Sequence, residues 1–369
     1  MVRVLALVPK PTGVSPGQRF RLEQWSPLLL EHGISVAFAP FESPRLTKIL
    51  YEPGMRIKKA AYVIADAIHR RAALRQAKNY DVVVVYREAS LIGPAIFERQ
   101  LASSGKPLIF DFDDAIWAPG SGSVNGAFAR LRFPGKTATI CKLASAVVVS
   151  NAYLAHYASR FNQKVHIIPS TIDLAAFPVQ PPLTYGSPFT VVWSGSVSTL
   201  PHLETAKDAL ERVGRKRKTL LKVICSRAPG FSIDGVEMEF IPWTTAGEAA
   251  RLGASHVGIM PLPDNEFTRG KGGFKALLYM AVGRPAVASP VGVNSEIIAS
   301  GQNGLLAGPA DEWVQALNKL ADSSELRARL AAAGRATVES RFSSHSGAAA
   351  FAEVVLNVKR DAPESGQKS

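Results

Sequence analysis

The chain has only two cysteines, Cys141 and Cys225, among its 369 residues. Two thiols are too few for a disulfide framework or a four-thiolate zinc site, and they suit a reducing, cytoplasmic compartment. No run of about 18 consecutive apolar residues is present, so the sequence predicts no transmembrane helix. The apolar run at the start, from Val4 to Val8, stops at Pro9 and is too short for the core of a signal peptide. What remains is a globular composition, with 47% hydrophobic residues.

Acidic residues are in the minority, since 30 Asp and Glu stand against 43 Lys and Arg, for a net charge of +13. This excess implies affinity for an anionic partner, which leaves open nucleic acid, an acidic lipid surface or a phosphorylated small molecule. Nucleic acid is disfavoured, because the sequence has no recognised nucleic-acid-binding motif and no basic stripe interleaved with aromatic residues.

Short β-branched runs alternate with helical stretches along the chain, which predicts parallel sheets covered by helices on both faces. The pattern restarts after a stretch with several prolines and a glycine, Pro178–Pro188, which we interpret as a linker. We therefore expect an α/β protein with two doubly wound, Rossmann-like domains facing a cleft. The expected domains are residues 1–178 and 179–342, followed by a helix over 343–358 that crosses back to the first domain and a disordered tail over 359–369. Further helices are predicted over 91–103 and 200–214.

The loop after the first predicted strand lacks the glycine pattern of a dinucleotide-binding protein. It contains only Gly13 and Gly17, which do not fit G-x-G-x-x-G, and no P-loop occurs anywhere in the chain. An NAD-dependent oxidoreductase is therefore disfavoured. The loop leads to Arg19 and Arg21 at a helix start, where they either bind a phosphate or acidic acceptor or form a solvated basic turn.

Three carboxylates, Asp111, Asp113 and Asp114, follow the predicted strand that ends at Phe110. Carboxylates in this position suit a metal ion, hydrogen bonds from sugar hydroxyls or acid–base chemistry, and they also suit the N-cap of a helix. Because no histidine or further carboxylate cluster lies nearby in sequence to complete a metal shell, we predict no metal here.

Two glycine-containing loops have the composition of a diphosphate-binding site. Gly195 and Ser196 lie between a predicted strand and a helix, where small residues let the backbone approach a phosphate. Later in the chain, cations alternate with glycines ahead of a helix, and a further helix start follows one strand on. The residues concerned are Arg269, Lys271 and Lys275, and then Asn294, Ser295 and Glu296. Cations and free backbone amides at helix starts favour a diphosphate ligand.

The chain resembles the glycosyltransferases of family 4 over nearly its whole length. The matching stretches are FDFDDAIW, VVWSGSVSTLPHLE, KALLYMAVGRPAVASPVGVNSEII and NGLLAG. The resemblance implies the GT-B fold, with a nucleotide-diphosphate sugar bound mainly by the second domain and an acceptor bound by the first. It also implies transfer of a hexose with retention of anomeric configuration, without a metal or other cofactor.

Site residues follow from the resemblance and from the loops together. Catalysis is assigned to Asp113, Asp114, Arg269, Lys271 and Lys275; donor binding to Gly195, Ser196, Trp243, Glu266, Asn294, Ser295 and Glu296; and acceptor binding to Arg19 and Arg21. In this assignment the cations neutralise the leaving diphosphate, Trp243 lies beside the nucleotide base, and an aspartate stabilises positive charge on the sugar ring.

The chain departs from the family at the two positions where a pair of glutamates is usual. Gly270 and Leu278 occupy those positions, and a leucine cannot hold the ribose of a nucleotide. We hypothesise that Glu266 replaces the missing acid, and that the three late cations replace the arginine and lysine missing from WSGSVSTLPHLE. The alternative is a non-catalytic relative that binds a nucleotide sugar or glycan.

A basic stretch from Arg56 to Lys78 suggests a second role for the positive charge of the chain. Ile57, Ala61, Ile64 and Ile68 share one helical face, and Arg71, Arg75 and Lys78 continue it. Such a helix either rests on an anionic membrane surface or is a domain helix with a solvated basic end. In the first case, the protein would be peripheral on the inner face of the membrane and act on a lipid-linked acceptor, in cell-surface polysaccharide or glycolipid synthesis.

Overall fold

The computed structural model describes residues 1–50, 52, 54–91, 93–118, 133, 135–183 and 188–362. The chain forms two compact units, residues 1–170 with 344–369 and residues 171–343. The predicted boundary between residues 178 and 179 lies a few residues beyond this division. Of the predicted tail, residues 359 and 360 are helical, and residues 363–369 lie outside the described part of the chain.

The first unit contains a six-stranded sheet with the order β2-β1-β3-β4-β5-β6. Its strands all run parallel, and their β-branched residues are buried because helices cover both faces. The strands are β1 (Val2–Val8), β2 (Ile34–Pro40), β3 (Val82–Tyr86), β4 (Leu108–Phe112), β5 (Ala146–Val149) and β6 (Val165–Ile167). The helices are α1 (Pro16–Gln18), α2 (Gln24–Glu31), α3 (Pro44–Leu50), α4 (Arg56–Gln76), α5 (Ile96–Ala102), α6 (Lys136–Leu143) and α7 (Ala152–Ser159). A π-helical turn, Arg19–Glu23, joins α1 to α2, and a 3₁₀ turn, Ala77–Asn79, follows α4.

The second unit contains another six-stranded parallel sheet, with the order β12-β11-β10-β7-β8-β9. The strands are β7 (Phe189–Ser194), β8 (Thr219–Cys225), β9 (Val236–Pro242), β10 (Val257–Met260), β11 (Ala286–Ala288) and β12 (Leu305–Leu306). The helices are α8 (Lys207–Gly214), α9 (Glu248–Gly253), α10 (Glu266–Arg269), α11 (Phe274–Ala281), α12 (Asn294–Ile297), α13 (Ala310–Asp322) and α14 (Ser324–Arg341). The predicted pair of doubly wound sheets is thus confirmed.

The last helix, α15 (Ser344–Arg360), returns to the first unit and packs against α2. The rings of Trp25 and Phe351 lie 5.5 Å apart, and both side chains are buried. The predicted crossing of the C-terminal helix to the first domain is confirmed.

Two of the predicted helices are wrong in their extent, and proline explains both. The segment predicted as one helix over 200–214 is a 3₁₀ helix, Val197–Ala206, followed by α8. Pro201 lies inside it and cannot donate the amide hydrogen that a continuous α-helix needs. The helix predicted over 91–103 begins only at Ile96, after Gly93 and Pro94.

The strand order reverses once in each sheet, beside the first strand of each unit. In the first unit β1 lies between β2 and β3, and in the second unit β7 lies between β8 and β10. Loops that leave the carboxyl ends of strands at such a point diverge and leave a crevice in which ligands bind. No helix within the described ranges has the length and apolar character needed to span a bilayer.

Candidate functional site

Beside the reversal of the first sheet, residues from two strand ends form one hydrogen-bonded network around Asp113. The Tyr86 hydroxyl and the Arg87 Nε both donate to Asp113 Oδ1, each over 2.7 Å. Arg87 Nη2 donates to Asp114 Oδ2, also over 2.7 Å. One guanidinium therefore holds both predicted catalytic carboxylates in fixed positions.

The network also fixes the charge of Asp113. Burial alone would raise its pKa, but the charge and hydrogen bond of Arg87, aided by Arg21 and Tyr86, lower the pKa of Asp113 to about 2. A carboxylate with this pKa remains ionised at neutral pH and is a weak general base, since effective bases have a pKa near the working pH. The site therefore favours acceptance of hydrogen bonds, or stabilisation of positive charge, over proton abstraction.

Gly17, in α1 just beyond the loop after β1, packs closely against this network. A Cβ atom at Gly17 would lie 2.5 Å from both Asp113 Oδ2 and the Tyr86 hydroxyl. Contacts that short are not tolerated, so only glycine permits the helix start to lie this close to the carboxylate.

The two arginines predicted to bind an acceptor lie in different surroundings. Arg21 is fully buried, and its Nε and Nη2 donate to the two oxygens of Asp111 over 2.8 and 3.0 Å. Its Nη1 donates to the Ile168 carbonyl over 2.8 Å, so the guanidinium ties the π-helical turn to the sheet. Arg19 is half-buried, 4.2 Å from the ring centroid of Phe20. Acceptor binding by these arginines stays a prediction, and the contacts of Arg21 are those of a structural ion pair.

At the reversal of the second sheet, predicted cations gather beside the loop after β7. Lys275 Nζ lies 5.4 Å from the ring centroid of Trp193, the residue two before Gly195. Lys271 Nζ lies 4.0 Å from the ring centroid of Phe267. Burial, together with the positive charges of Lys275 and Lys271, lowers the pKa of His202 to about 4. The three cationic or basic side chains therefore share one neighbourhood.

The Gly195 loop has room for no side chain at this position. A Cβ atom on Gly195 would lie 2.6 Å from Trp193 Cη2 and 2.8 Å from Thr199 Oγ1. Ser196 Oγ lies 2.9 Å from Ser198 Oγ in the turn that opens the 3₁₀ helix. Small residues in this loop thus keep the backbone close to the Trp193 ring and to Lys275.

The starts of α11 and α12 also meet in the second unit. Gly273, the N-cap of α11, has φ of +68°, and a Cβ atom there would clash with Ile297 Cδ1 and lie 3.4 Å from Asn294 Oδ1. Asn294 Nδ2 donates to the Ser289 carbonyl over 3.0 Å. Asn294 Oδ1 is buried and accepts no hydrogen bond from the described residues. A buried acceptor without a partner costs free energy, and a ligand that donates a hydrogen bond to it would recover that cost.

The predicted catalytic residue Arg269 and the remaining predicted donor-binding residues lie on more exposed parts of the second unit. Arg269 forms an ion pair with Asp264 over 2.7 Å, and both side chains are more than half exposed. Trp243 follows the edge strand β9 and donates through Nε1 to Glu248 Oε1 over 3.0 Å. Exposed positions on short helices are occupied by Glu266 at the start of α10 and by Ser295 and Glu296 in α12.

Sequence reasoning missed three residues of these clusters: Tyr86, Arg87 and His202. Tyr86 and Arg87 stand at the end of a correctly predicted strand, so inspection of that strand end would have found them. His202 lies within a segment quoted for the resemblance, but only the folded structure places it beside the lysines. Across the described ranges, no three His, Cys, Asp or Glu side chains converge in a way that would hold a metal ion.

Residues 189–323 match the family model described as glycosyl transferases group 1. The match lies within the second unit and contains the Gly195 loop, both lysines and Asn294. Among curated protein sequences, none matches the chain significantly.

Solved structures similar to the chain are glycosyltransferases and related enzymes of low sequence identity. The sucrose-phosphate synthase of Thermosynechococcus elongatus has a TM-score of 0.71 at 16% identity, and the alignment covers 97% of this chain and 99% of that one. A glycosyltransferase of Rickettsia africae has a TM-score of 0.70 at 15% identity, covering 98% and 99%. HepE of Anabaena, in complex with UDP and glucose, has a TM-score of 0.65 at 16% identity, covering 96% and 100%. The chain therefore has the GT-B fold, with two Rossmann-like domains.

The buried Arg21–Asp111 pair predicts a strong penalty for removing either partner alone. Arg21→Met or Asp111→Asn should each lower the free energy of unfolding by about 3–5 kcal/mol, because one charge stays buried without its partner. The Arg21→Met/Asp111→Leu double variant should recover most of that loss. Urea unfolding measures the effect, with the exposed Arg99→Met as the matched control. Single variants as stable as the control would contradict a structural role for the pair.

Proposed function

We propose that the protein transfers a sugar from a nucleotide-diphosphate donor to the hydroxyl group of an acceptor. The observation that carries this proposal is the gathering of Lys271, Lys275 and His202 beside the Gly195 loop, at the reversal of the second sheet. The glycosyl transferases group 1 match over residues 189–323 supports it, as does the presence of UDP and glucose in the similar HepE structure.

The chemistry of this cluster suits the departure of a diphosphate. Negative charge grows on the diphosphate as its bond to the anomeric carbon breaks, and cations placed in advance stabilise that charge without reorganisation. The two lysines supply the charge, and Lys275 lies in the first turn of α11, where free backbone amides also attract an anion. We propose a retaining, metal-independent hexosyltransferase of the family 4 type. In that mechanism a donor phosphate oxygen takes the acceptor proton, which agrees with a weakly basic Asp113.

The missing glutamate pair keeps a non-catalytic binding protein as the second candidate. Leu278, at the position of the usual ribose-binding acid, is buried in α11. We propose that Asn294 and Glu266 contribute to donor recognition instead, with Trp243 near the base and Ser295 and Glu296 near the sugar. A protein that binds donor without turnover would be the second candidate.

Loss of both clustered lysines should abolish most of the transfer activity. In a Lys271→Ala/Lys275→Ala variant the leaving diphosphate loses two cations, and each such loss costs on the order of 10²–10³ in rate. Release of UDP or another nucleoside diphosphate from a panel of sugar nucleotides measures the reaction, in water and with glycan acceptors.

The matched control removes two lysines from the same unit without touching the cluster. Lys216→Ala/Lys218→Ala lies in an exposed basic turn after α8 and should retain wild-type turnover. Full activity of the Lys271/Lys275 variant would contradict the proposal. Donor binding by the wild type without any turnover would favour the non-catalytic candidate.

The titration of His202 locates the diphosphate independently of turnover. Its pKa of about 4 keeps the imidazole neutral at pH 7, and a bound diphosphate would favour the imidazolium and raise that pKa. Histidine NMR titrations of the full chain, with and without UDP or another nucleoside diphosphate, measure the change.

His256 provides the internal control for this titration. Burial and the charges of Arg327 and Arg284 lower its pKa to about 4 as well, and its Nδ1 accepts a hydrogen bond from the Thr190 amide. The pKa of His256 should stay constant while that of His202 rises. An unchanged His202 in a protein saturated with the nucleotide would place the diphosphate elsewhere.

The exposed face of α4 supports a lipid-linked acceptor. Ile57, Ile64 and Ile68 are 89%, 62% and 61% exposed and lie on one side of the helix. The only acid of the helix, Asp66, is buried on the opposite side, where it accepts a hydrogen bond from the Ser43 amide. The exposed basic residues beside the isoleucines are Arg56, Lys58, Arg71 and Arg75.

An apolar face with basic flanks and no exposed acid matches an anionic bilayer, to which each nearby Lys or Arg adds about 1 kcal/mol of attraction. We propose that α4 rests on the inner face of the membrane, with the protein in the cytoplasm and an acceptor that leads to cell-surface polysaccharide or glycolipid. Cys141 and Cys225, both buried free thiols, suit that reducing compartment.

Flotation with vesicles containing phosphatidylglycerol tests the membrane face. The wild type should float at low salt and dissociate as salt increases, and Ile64→Glu/Ile68→Glu should remain at the bottom of the gradient. Ile96→Glu, which changes an exposed isoleucine of α5, should float like the wild type. A wild-type protein that does not float at low salt would rule out this use of α4.

A further inference from the structure

The backbone at Arg87 adopts a conformation that non-glycine residues seldom take. Its φ is +60°, and the Glu88 amide donates to the Tyr86 carbonyl over 2.7 Å, which closes a γ-turn around Arg87. A γ-turn with positive φ at its central residue is the rarer and more strained kind. Such strain persists only where surrounding contacts impose it, and it concentrates at functional sites.

The contacts that hold Arg87 in this conformation lie at the carboxyl ends of β3 and β4. The Arg87 amide donates to the Asp111 carbonyl over 2.7 Å, which extends the pairing of β3 with β4 by one residue. The turn then directs the side chain back across the strand ends, where Nε and Nη2 reach Asp113 and Asp114. The guanidinium is 26% exposed and the Asp113 side chain 10%.

The two oxygens of Asp113 are used differently. Oδ1 accepts both hydrogen bonds, from Tyr86 and Arg87. Oδ2 accepts none from the described residues, and it lies beside Gly17, which has no side chain of its own. The network therefore holds the carboxylate through one oxygen, and the described residues leave the second oxygen without a hydrogen bond.

We propose that Arg87 is a positioning residue, which holds Asp113 so that Oδ2 accepts a hydrogen bond from a sugar hydroxyl of the acceptor. The proposal rests on the proposed function, since it takes the first unit to bind the acceptor. Ionised carboxylates are strong acceptors for hydroxyl groups, and a fixed orientation removes the entropy that a mobile side chain would lose on binding.

Charged and titratable groups other than Arg87 also affect the pKa of Asp113. Arg21 approaches from the π-helical turn, Asp111 precedes it in β4, Tyr86 donates from β3, and Asp114 shares Arg87. If Arg87 is removed, Arg21 still pairs with Asp111 and does not replace Arg87 beside Asp113. The pKa of Asp113 should therefore rise by about one to three pH units. The carboxylate would then become protonated as the pH falls through that higher value.

The test uses the full chain in three forms, wild type, Arg87→Met and Arg87→Lys, with Arg99→Met as the control. ¹³C NMR of the side-chain carboxyl carbon in labelled aspartate follows Asp113 while a panel of methyl hexosides is added as acceptor probes. In the wild type and in the control, at least one probe should shift the Asp113 signal. Arg87→Met should show no such shift, and Arg87→Lys should recover part of it.

Kinetics supply the second readout. With Arg87→Met, kcat/KM for the acceptor should fall by about ten- to a hundredfold. The acid limb of its pH profile should shift to higher pH, because the pKa of Asp113 rises. UDP affinity should stay at the wild-type value, because the donor residues belong to the second unit, whereas a general loss of structure would weaken it.

The outcomes separate this proposal from the proposed function. A wild type without transfer activity, whose Asp113 still responds to a hexoside only when Arg87 is present, would refute the transferase and support the positioning role. An active wild type matched by Arg87→Met in acceptor kinetics and pH profile would overturn the positioning role alone. A wild-type Asp113 signal that no hexoside moves would also overturn it.

Discussion

The constraint on which both candidate sites depend is the reversal of strand order beside the first strand of each sheet. At β1 and β3, and again at β7 and β10, consecutive helices leave toward opposite faces, so their loops diverge. Glycines at these points allow the backbone to pack directly against side chains. Gly17 meets the Asp113 network and Gly195 meets Trp193 for this reason. Both candidate sites occur where the topology leaves space, and they differ in the charge of their residues.

Two ion pairs compensate the buried carboxylates of the first site, one fully buried and one nearer the surface. Asp111 and Asp113 are two residues apart at the end of β4, close enough to repel each other if both were uncompensated. Each has its own arginine, so the deeper Arg21–Asp111 pair supports the sheet while Arg87 serves the outer carboxylate. Burial raises the pKa of Asp111, and the bidentate contact with Arg21 opposes that rise. The second arginine, Arg87, keeps the outer carboxylate ionised.

The sequence predicted what depends on local pattern and missed what depends on distant contacts. Both sheets follow from periodic β-branched runs, and the lysines near Gly273 follow from composition at a helix start. The error over 200–214 came from apolar spacing that outweighed Pro201, whose missing amide hydrogen decided the helix type. The position of Arg87 at a strand end is visible in the sequence, but its positive φ and its contacts are not, because Asp113 and Asp114 are more than twenty residues away.

The opposite charges of the two clusters sort the ligands that each can bind. An ionised Asp113 repels a diphosphate, and its free oxygen accepts hydrogen bonds from neutral hydroxyl groups. Lys271 and Lys275 attract a diphosphate but interact only weakly with a neutral sugar. The imidazole of His202 is neutral at pH 7 and adds no further positive charge to this cluster. Under the proposed function, a sugar nucleotide would be repelled at the first cluster, and a neutral hydroxyl acceptor would be held only weakly at the second. Discrimination between donor and acceptor would then begin with the charge of each unit, before any contact specific to one sugar is made.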